Sequence, residues 1–250
     1  MLSLGILGVF QAVLLPGFAL VYIMLRPLRI SLTDVFILSV PASLLANYAV
    51  VSTLVFFGLY TQPVVVALSC MCFILCVGCI LDYLREYPAD GPIIEGEAPG
   101  IQYQLLRGIT VGVLAIVAWQ SLGTVFSGWD AIASWNRWAT EWFDQTVPGS
   151  RGYPPLLPIL LSLVYKCAGS TNLQTIAKVV PIVFPLWAVA CLWGAGRQLP
   201  RHQNVAYIAA FVWLYMMLAA EGADFIFSGY ADPIIAAYGA FSIYAFAFWQ

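Results

Sequence analysis

Charge is what this sequence has least of. Of its 250 residues, 9% are charged, where a soluble domain carries about 25%. A water-soluble fold would have too little to cover its surface. Ten Lys and Arg stand against twelve Asp and Glu, a net charge of −2, so no basic face for nucleic acid is available. Histidine occurs once, as His202, which removes His-based catalytic dyads and metal cages. There is no Gly-rich phosphate loop, no GxSxG, no HExxH, no paired CxxC and no internal repeat. Of six cysteines, Cys70, Cys72, Cys76 and Cys79 fall in one apolar run, with Cys72, Cys76 and Cys79 on one helix face. They read as small packing residues, because a zinc site needs a polar surround that this run does not offer.

What is abundant is apolar length. The chain is 62% hydrophobic, with a mean hydropathy of +0.90. The apolar runs are 4–25, 35–60, 63–81, 105–126, 154–168, 179–196, 205–220 and 233–249. They are continuous rather than alternating, which predicts helices and not a barrel. The first run has no basic flank before it and reads as a retained span. Run 154–168 is the outlier: it is short, has prolines at 154, 155 and 158, and carries Lys166 near its end. It is expected to be a re-entrant or juxtamembrane helix that does not cross. Seven crossings then put Arg26, Arg29, Arg85, Arg107, Arg197 and Arg201 on one side and Arg137, Arg151, Lys166 and Lys178 on the other. The positive-inside rule makes the first side cytoplasmic.

The expected class is therefore all-α, a polytopic transmembrane helical protein of about seven spans plus an interfacial or juxtamembrane helical loop. It divides into a three-span segment (1–81), a cytoplasmic linker (82–104) with five acids and one arginine, and a membrane core (105–250). Loops 127–178 and 220–232 face out, as does the N-terminus. The last run ends at Gln250 with no polar tail, so the chain is expected to be the N-terminal part of a longer protein.

One stretch, 128–158, breaks the apolar pattern. It reads GWDAIASWNRWATEWFDQTVPGSRGYPPLLP and holds Asp130, Glu141, Asp144, Arg137, Arg151 and four tryptophans. Trp135, Trp138 and Trp142 recur at i, i+3 and i+7, one helix face. Such a helix is expected to lie in the membrane interface. Asp130 ends one apolar run and Asp232 opens another, directly before Pro233. Carboxylates at span ends read either as helix caps or as functional groups. Glu141 and Asp144 fit a solvated face. If Asp130 and Asp232 converge, one takes a proton from an attacking hydroxyl and the others, with Asp224 and Glu221, hold a divalent cation. Arg137, Arg151, Lys166 and Lys178 suit phosphate, with interfacial anchoring as the alternative. The tryptophans suit either sugar stacking or an aromatic belt.

The pattern WDAxxxWxxxA at 129–139, YPPLLP at 153–158 and GYADP at 229–233 resembles the bacterial glycosyltransferase C superfamily, in its family-39-like membrane enzymes similar to dolichyl-phosphate-mannose transferases. The resemblance covers about 105–250. It implies that Asp130 is the first-loop catalytic acid, a general base or a metal ligand. It implies that Asp232, with Asp224 or Glu221, is the second-loop acidic motif. Tyr153, Pro154 and Pro155 match the segment that shapes the donor pocket; Trp129, Trp135, Arg137, Arg151 and Lys178, read from their residue types, are the candidates to contact the substrate. The implied partners are a polyprenyl-phosphate-linked sugar donor and the lipid bilayer; the acceptor is not specified. The implied location is the inner (plasma) membrane, with the site on the extracytoplasmic face. No cofactor is assigned beyond a divalent cation, Mg2+ or Mn2+. Here Ala131 follows Asp130, where many members have an Asp-Glu pair. The rival expectation is a transporter, a flippase or a non-catalytic subunit handling lipid-linked sugars.

Overall fold

The computed structural model describes residues 1–86, 100–149, 153–199, 203–221 and 229–250, without the side chains of 220 and 221. Those residues are mostly helical, joined by short turns and loops, and contain no strand. In chain order the helices are α1 (Leu2–Val13), α2 (Leu15–Leu25), a 3-10 turn (Arg26–Leu28), α3 (Leu32–Phe56), α4 (Gln62–Glu86) and α5 (Ile101–Ser121). A π-helical turn (Ala131–Asn136) leads into α6 (Arg137–Phe143). There follow α7 (Leu156–Ala168), α8 (Gln174–Ala177), α9 (Val179–Gln198), α10 (Gln203–Glu221) and α11 (Asp232–Trp249).

Four helices are long and apolar enough to cross a bilayer: α3, α4, α5 and the continuous Gln174–Gln198. The bent pair α1 and α2 makes a fifth if it is one span. The membrane character expected from composition is thus supported, while length and composition do not establish seven crossings. α7 and the Gln203–Ala219 part of α10 are shorter apolar helices.

The chain folds as two compact units. The first is Met1–Ala89 with Gly123–Val180, and the second is Asp90–Leu122 with Pro181–Gln250. In the second, α5 packs against α10, and the Arg107 guanidinium lies 5.2 Å from the Trp193 ring centre. The first unit is built around α7. All of its residues from Leu157 to Ala168 are buried. A helix apolar on every side has to be enclosed, and α1, α6, α3 and α4 all pack on it.

The break between α1 and α2 follows from Pro16. Proline has no N–H, so the Ala12 carbonyl loses its donor one turn on. Asn47 of α3 supplies one: its Nδ2 donates to the Ala12 carbonyl at 3.0 Å and to the Gln11 carbonyl at 2.7 Å. Gln11 Nε2 donates back to Asn47 Oδ1 at 3.0 Å. The next residue is Gly17, whose N–H donates to Ser43 Oγ at 2.8 Å. A Cβ there would run into the Ser39 carbonyl, so only glycine allows α2 this close to α3.

The two ends of α4 are furnished differently. At its start, Gln62 Nε2 donates to the Cys167 carbonyl of α7 at 3.1 Å. Just before it, Tyr60 shares a 2.9 Å hydrogen bond with Ser162. At its far end, roughly 37 Å away for 25 residues, Arg26 is ion-paired with Asp82 at 3.1 Å and with Glu86. The Tyr22 hydroxyl donates to Asp82 at 2.9 Å. Asp82 and Glu86 are therefore part of α4, although the sequence places them in a solvated linker.

Candidate functional site

The stretch singled out in the sequence is helical from Trp129 to Phe143, with the π turn at Ala131–Asn136 near its start. Single π turns interrupt α-helices most often at functional positions. The segment packs on α7 rather than lying free. Trp135 and Trp142 are buried, Trp138 is half-buried and Trp129 is exposed. The tryptophan face that the spacing predicts is formed, and two of its three rings are buried where the segment packs on α7. The reason is local: α7 is apolar all round and needs a partner on that side. The indole N–H groups of Trp135 and Trp142 have no acceptor among the described residues.

An aromatic cluster leads from buried Trp135 out to half-buried Trp138 and exposed Tyr153. Trp135 and Trp138 meet edge-to-face at 5.2 Å between ring centres. Tyr153 lies 5.8 Å from each. Trp135 and Tyr153, both expected at the substrate, are thus brought together. Asp130 stands at the start of the same helical segment. Its backbone is already helical, it makes no capping hydrogen bond, and its carboxylate is exposed with no partner among the described residues.

The end of the segment accounts for every terminal carbonyl. Asp144 N–H donates to the Thr140 carbonyl at 3.0 Å, Gln145 N–H to Trp142 at 3.0 Å, and Thr146 N–H to Glu141 at 2.9 Å. This is a Schellman ending, in which the residue at the left-handed position is usually glycine; here it is Gln145, with φ 60°. The fourth carbonyl, that of Phe143, accepts from Lys166 Nζ of α7. Lys166 is buried, with its ammonium 4.3 Å from the Phe143 ring centre and 5.0 Å from that of Tyr60. Burial lowers its pKa, and Asp144 nearby opposes that shift. From the adjacent position of α7, the Tyr165 hydroxyl donates to Asn136 Oδ1, both groups buried.

The remaining candidates are scattered. Arg137 is exposed and ion-paired to Glu141 at 3.0 Å, four residues on. Lys178 is buried, and its Nζ donates to Thr124 Oγ1 at 2.6 Å and to the Val125 carbonyl at 3.0 Å. It braces the loop that leads to Trp129. Arg151 and Asp224 lie outside the described residues, and so does the side chain of Glu221, the last residue of α10. Asp232 opens α11 in the second unit, exposed, without a capping hydrogen bond and without a partner among the described residues. Its place in the first turn suits the helix dipole. No three acidic, cysteine or histidine side chains assemble among the described residues. The described donors therefore do not make a site for Mg2+ or Mn2+.

Lys166, Tyr165 and Asn136 hold the segment in place, yet their role is not visible in the spacing. The available signal was Lys166 itself. A lysine inside a run too short to reach the interface at both ends needs a specific acceptor.

No family model, no curated protein and no solved structure matches this chain.

Proposed function

We propose that the chain is part of a membrane glycosyltransferase that moves a sugar from a polyprenyl-phosphate-linked donor to an acceptor hydroxyl on the extracytoplasmic face. The observation that carries this reading is Asp130: an exposed, unpartnered carboxylate at the start of the helical segment that joins the aromatic cluster. A carboxylate so placed takes the proton of an attacking hydroxyl as the oxygen bonds to the anomeric carbon. The sugar–phosphate bond breaks on the opposite side, giving inversion, and the lipid phosphate leaves as the anion. Tyr153 and Trp138 offer ring faces to the apolar side of a sugar. Arg137, held toward Glu141 on the exposed face, is the cation on this segment for the phosphate. Trp129 is exposed and free to join the same surface.

The test is Asp130→Asn, which keeps shape and hydrogen bonding but not basicity. With a polyprenyl-phosphate sugar as donor, transfer falls by about a hundredfold or more. Transfer at near the wild-type rate overturns the assignment. Asp232 is tested separately. If Asp232→Asn alters the response of transfer to added Mg2+ or Mn2+, it is a functional carboxylate; indifference leaves it as a dipole-side acid of α11.

One observation favours the rival reading, a transporter of lipid-linked sugars. The α1–α2 break places Asn47, Gln11 and freed backbone carbonyls inside an apolar helix packing, as broken transporter helices do. Movement of a labelled lipid-linked sugar between liposome leaflets that survives Asp130→Asn, with no transfer by wild type, selects that reading.

A further inference from the structure

At the end of α4 far from the tryptophan segment, a cavity of about 500 Å³ is lined by Arg26, Pro27, Arg29 and Glu86. Its two arginines differ. Arg26 is neutralised by Asp82 and Glu86. Arg29 has no acidic partner among the described residues. Its backbone is left-handed, φ 52°, with its N–H closing the 3-10 turn onto the Arg26 carbonyl at 3.1 Å. That conformation reverses the chain between α2 and α3, and Ser31 then caps α3 by accepting from Asp34 N–H at 3.2 Å. The reversal is thus fixed on both sides, and Arg29 lines the cavity from a defined position.

The chain that leads to the lining residues is apolar and exposed: Ile23, Met24 and Leu28 flank Arg26 and Pro27 in sequence, and Leu81 and Leu84 precede Glu86. Asp82 and Glu86 take up the Arg26 charge, so the Arg29 guanidinium is the cation left to the lining, and its chain neighbour Leu28 is apolar and exposed. An inorganic anion would use only the guanidinium. An amphiphile with a negative head and acyl chains uses both features. We propose that this cavity is a headgroup site for an anionic phospholipid, with the Arg29 guanidinium on the phosphodiester and the acyl chains along Met24, Leu28 and Leu84. A planar guanidinium suits a phosphate better than a point charge does. The site is independent of the transferase reading.

The experiment uses the full chain in a neutral detergent. Native mass spectrometry counts bound phosphatidylglycerol against phosphatidylcholine of matched chains, with glycerol phosphate as the soluble arm. Wild type is expected to retain one phosphatidylglycerol in preference to phosphatidylcholine. Arg29→Ala is expected to bind it about tenfold more weakly. Arg85→Ala, an exposed arginine on the same end of α4 that does not line the cavity, is expected to match wild type. Equal retention by Arg29→Ala and wild type overturns the proposal. An equal loss in Arg85→Ala overturns it in favour of general surface charge. Glycerol phosphate binding as tightly as phosphatidylglycerol overturns it in favour of a simple anion site. Should Arg29→Ala fail to fold, Arg29→Gln keeps the stem and carries the same expectation.

Discussion

α7 and α4 are both apolar helices of the first unit, and they end up in opposite places. α7 has 13 residues and buries all but the first. α4 has 25 residues and buries only Val65, Ser69, Cys76 and Cys79. Mean apolarity does not separate them; length does. Thirteen residues rise about 20 Å, short of a hydrocarbon core of about 30 Å, whereas 25 residues exceed it. The short helix cannot present its ends to water on both sides, so the protein encloses it. Its polar side chains then find partners inside: Ser162 with Tyr60, Tyr165 with Asn136, Lys166 with Phe143. The long helix keeps its charged residues at its end, where Asp82 and Glu86 meet Arg26. One helix is a hub of the fold, and the other is long and apolar enough to cross a bilayer with most of its surface exposed.

The most forceful way to break this contrast is to truncate one side chain on each helix. Leu161 on α7 is fully buried, and Leu161→Ala costs about 2–5 kcal/mol, because a cavity is left where four helices pack. Ile74 on α4 is 68% exposed, and Ile74→Ala changes stability by less than about 0.5 kcal/mol. Thermal unfolding of both variants in one detergent reads the difference. Equal losses would mean that the exposed face of α4 is packed against something else, such as a second copy.

Lys166 sharpens the comparison, since it is the one charge the hub has taken in. Lys166→Ala leaves the Phe143 carbonyl without its donor and costs about 1–3 kcal/mol. The pH profile adds a sign. Unfolded, this lysine titrates at its ordinary 10.5; folded, it titrates lower, because burial penalises the ammonium. Between those values the unfolded chain binds more protons, so stability rises with pH. The gain is complete above 10.5 and is lost as pH falls through the lowered folded value. Lys166→Met should remove that rise, which chemical unfolding across the alkaline range would detect. An unchanged slope would place the lysine in water.

The same contrast shows what the sequence could carry. Long apolar runs at 35–60, 63–81, 105–126 and 179–196 were readable because a bilayer sets a length scale, and they became α3, α4, α5 and α9. The short run at 154–168 was readable as an exception by the same scale. What enclosed it was not. Trp135, Trp138 and Trp142 at i, i+3 and i+7 specify a face but not its neighbour, and lipid headgroups and α7 accept the same pattern. The run 4–25 reads as one span although Pro16 stands inside it, and Asn47, 31 positions later, gives no sign that it fills the gap. Asp130 was legible as a carboxylate at a span end. That it makes no cap goes with a backbone already helical at Asp130, and nothing in AIASWN marks the π turn after it.

The smallest effect expected outside the exposed face of α4 has the opposite sign and lies where hub and tryptophan segment join. Gln145 occupies the left-handed position of the Schellman ending, φ 60°, where a side chain crowds its own backbone. Its exposed side chain has no bond among the described residues to offset that cost. Gln145→Gly removes the crowding and keeps the two backbone hydrogen bonds to Trp142 and Glu141. The gain is about 0.5–1 kcal/mol, reduced by the greater freedom glycine has when unfolded. If the variant is less stable than wild type, the ending of α6 is not set by backbone geometry, and the Lys166 bond to Phe143 holds that end alone. A variant carrying both Gln145→Gly and Lys166→Ala separates these cases. Near-additive changes mean two independent clamps, whereas a gain that vanishes without Lys166 means that the lysine must first seat the helix end before its backbone can relax.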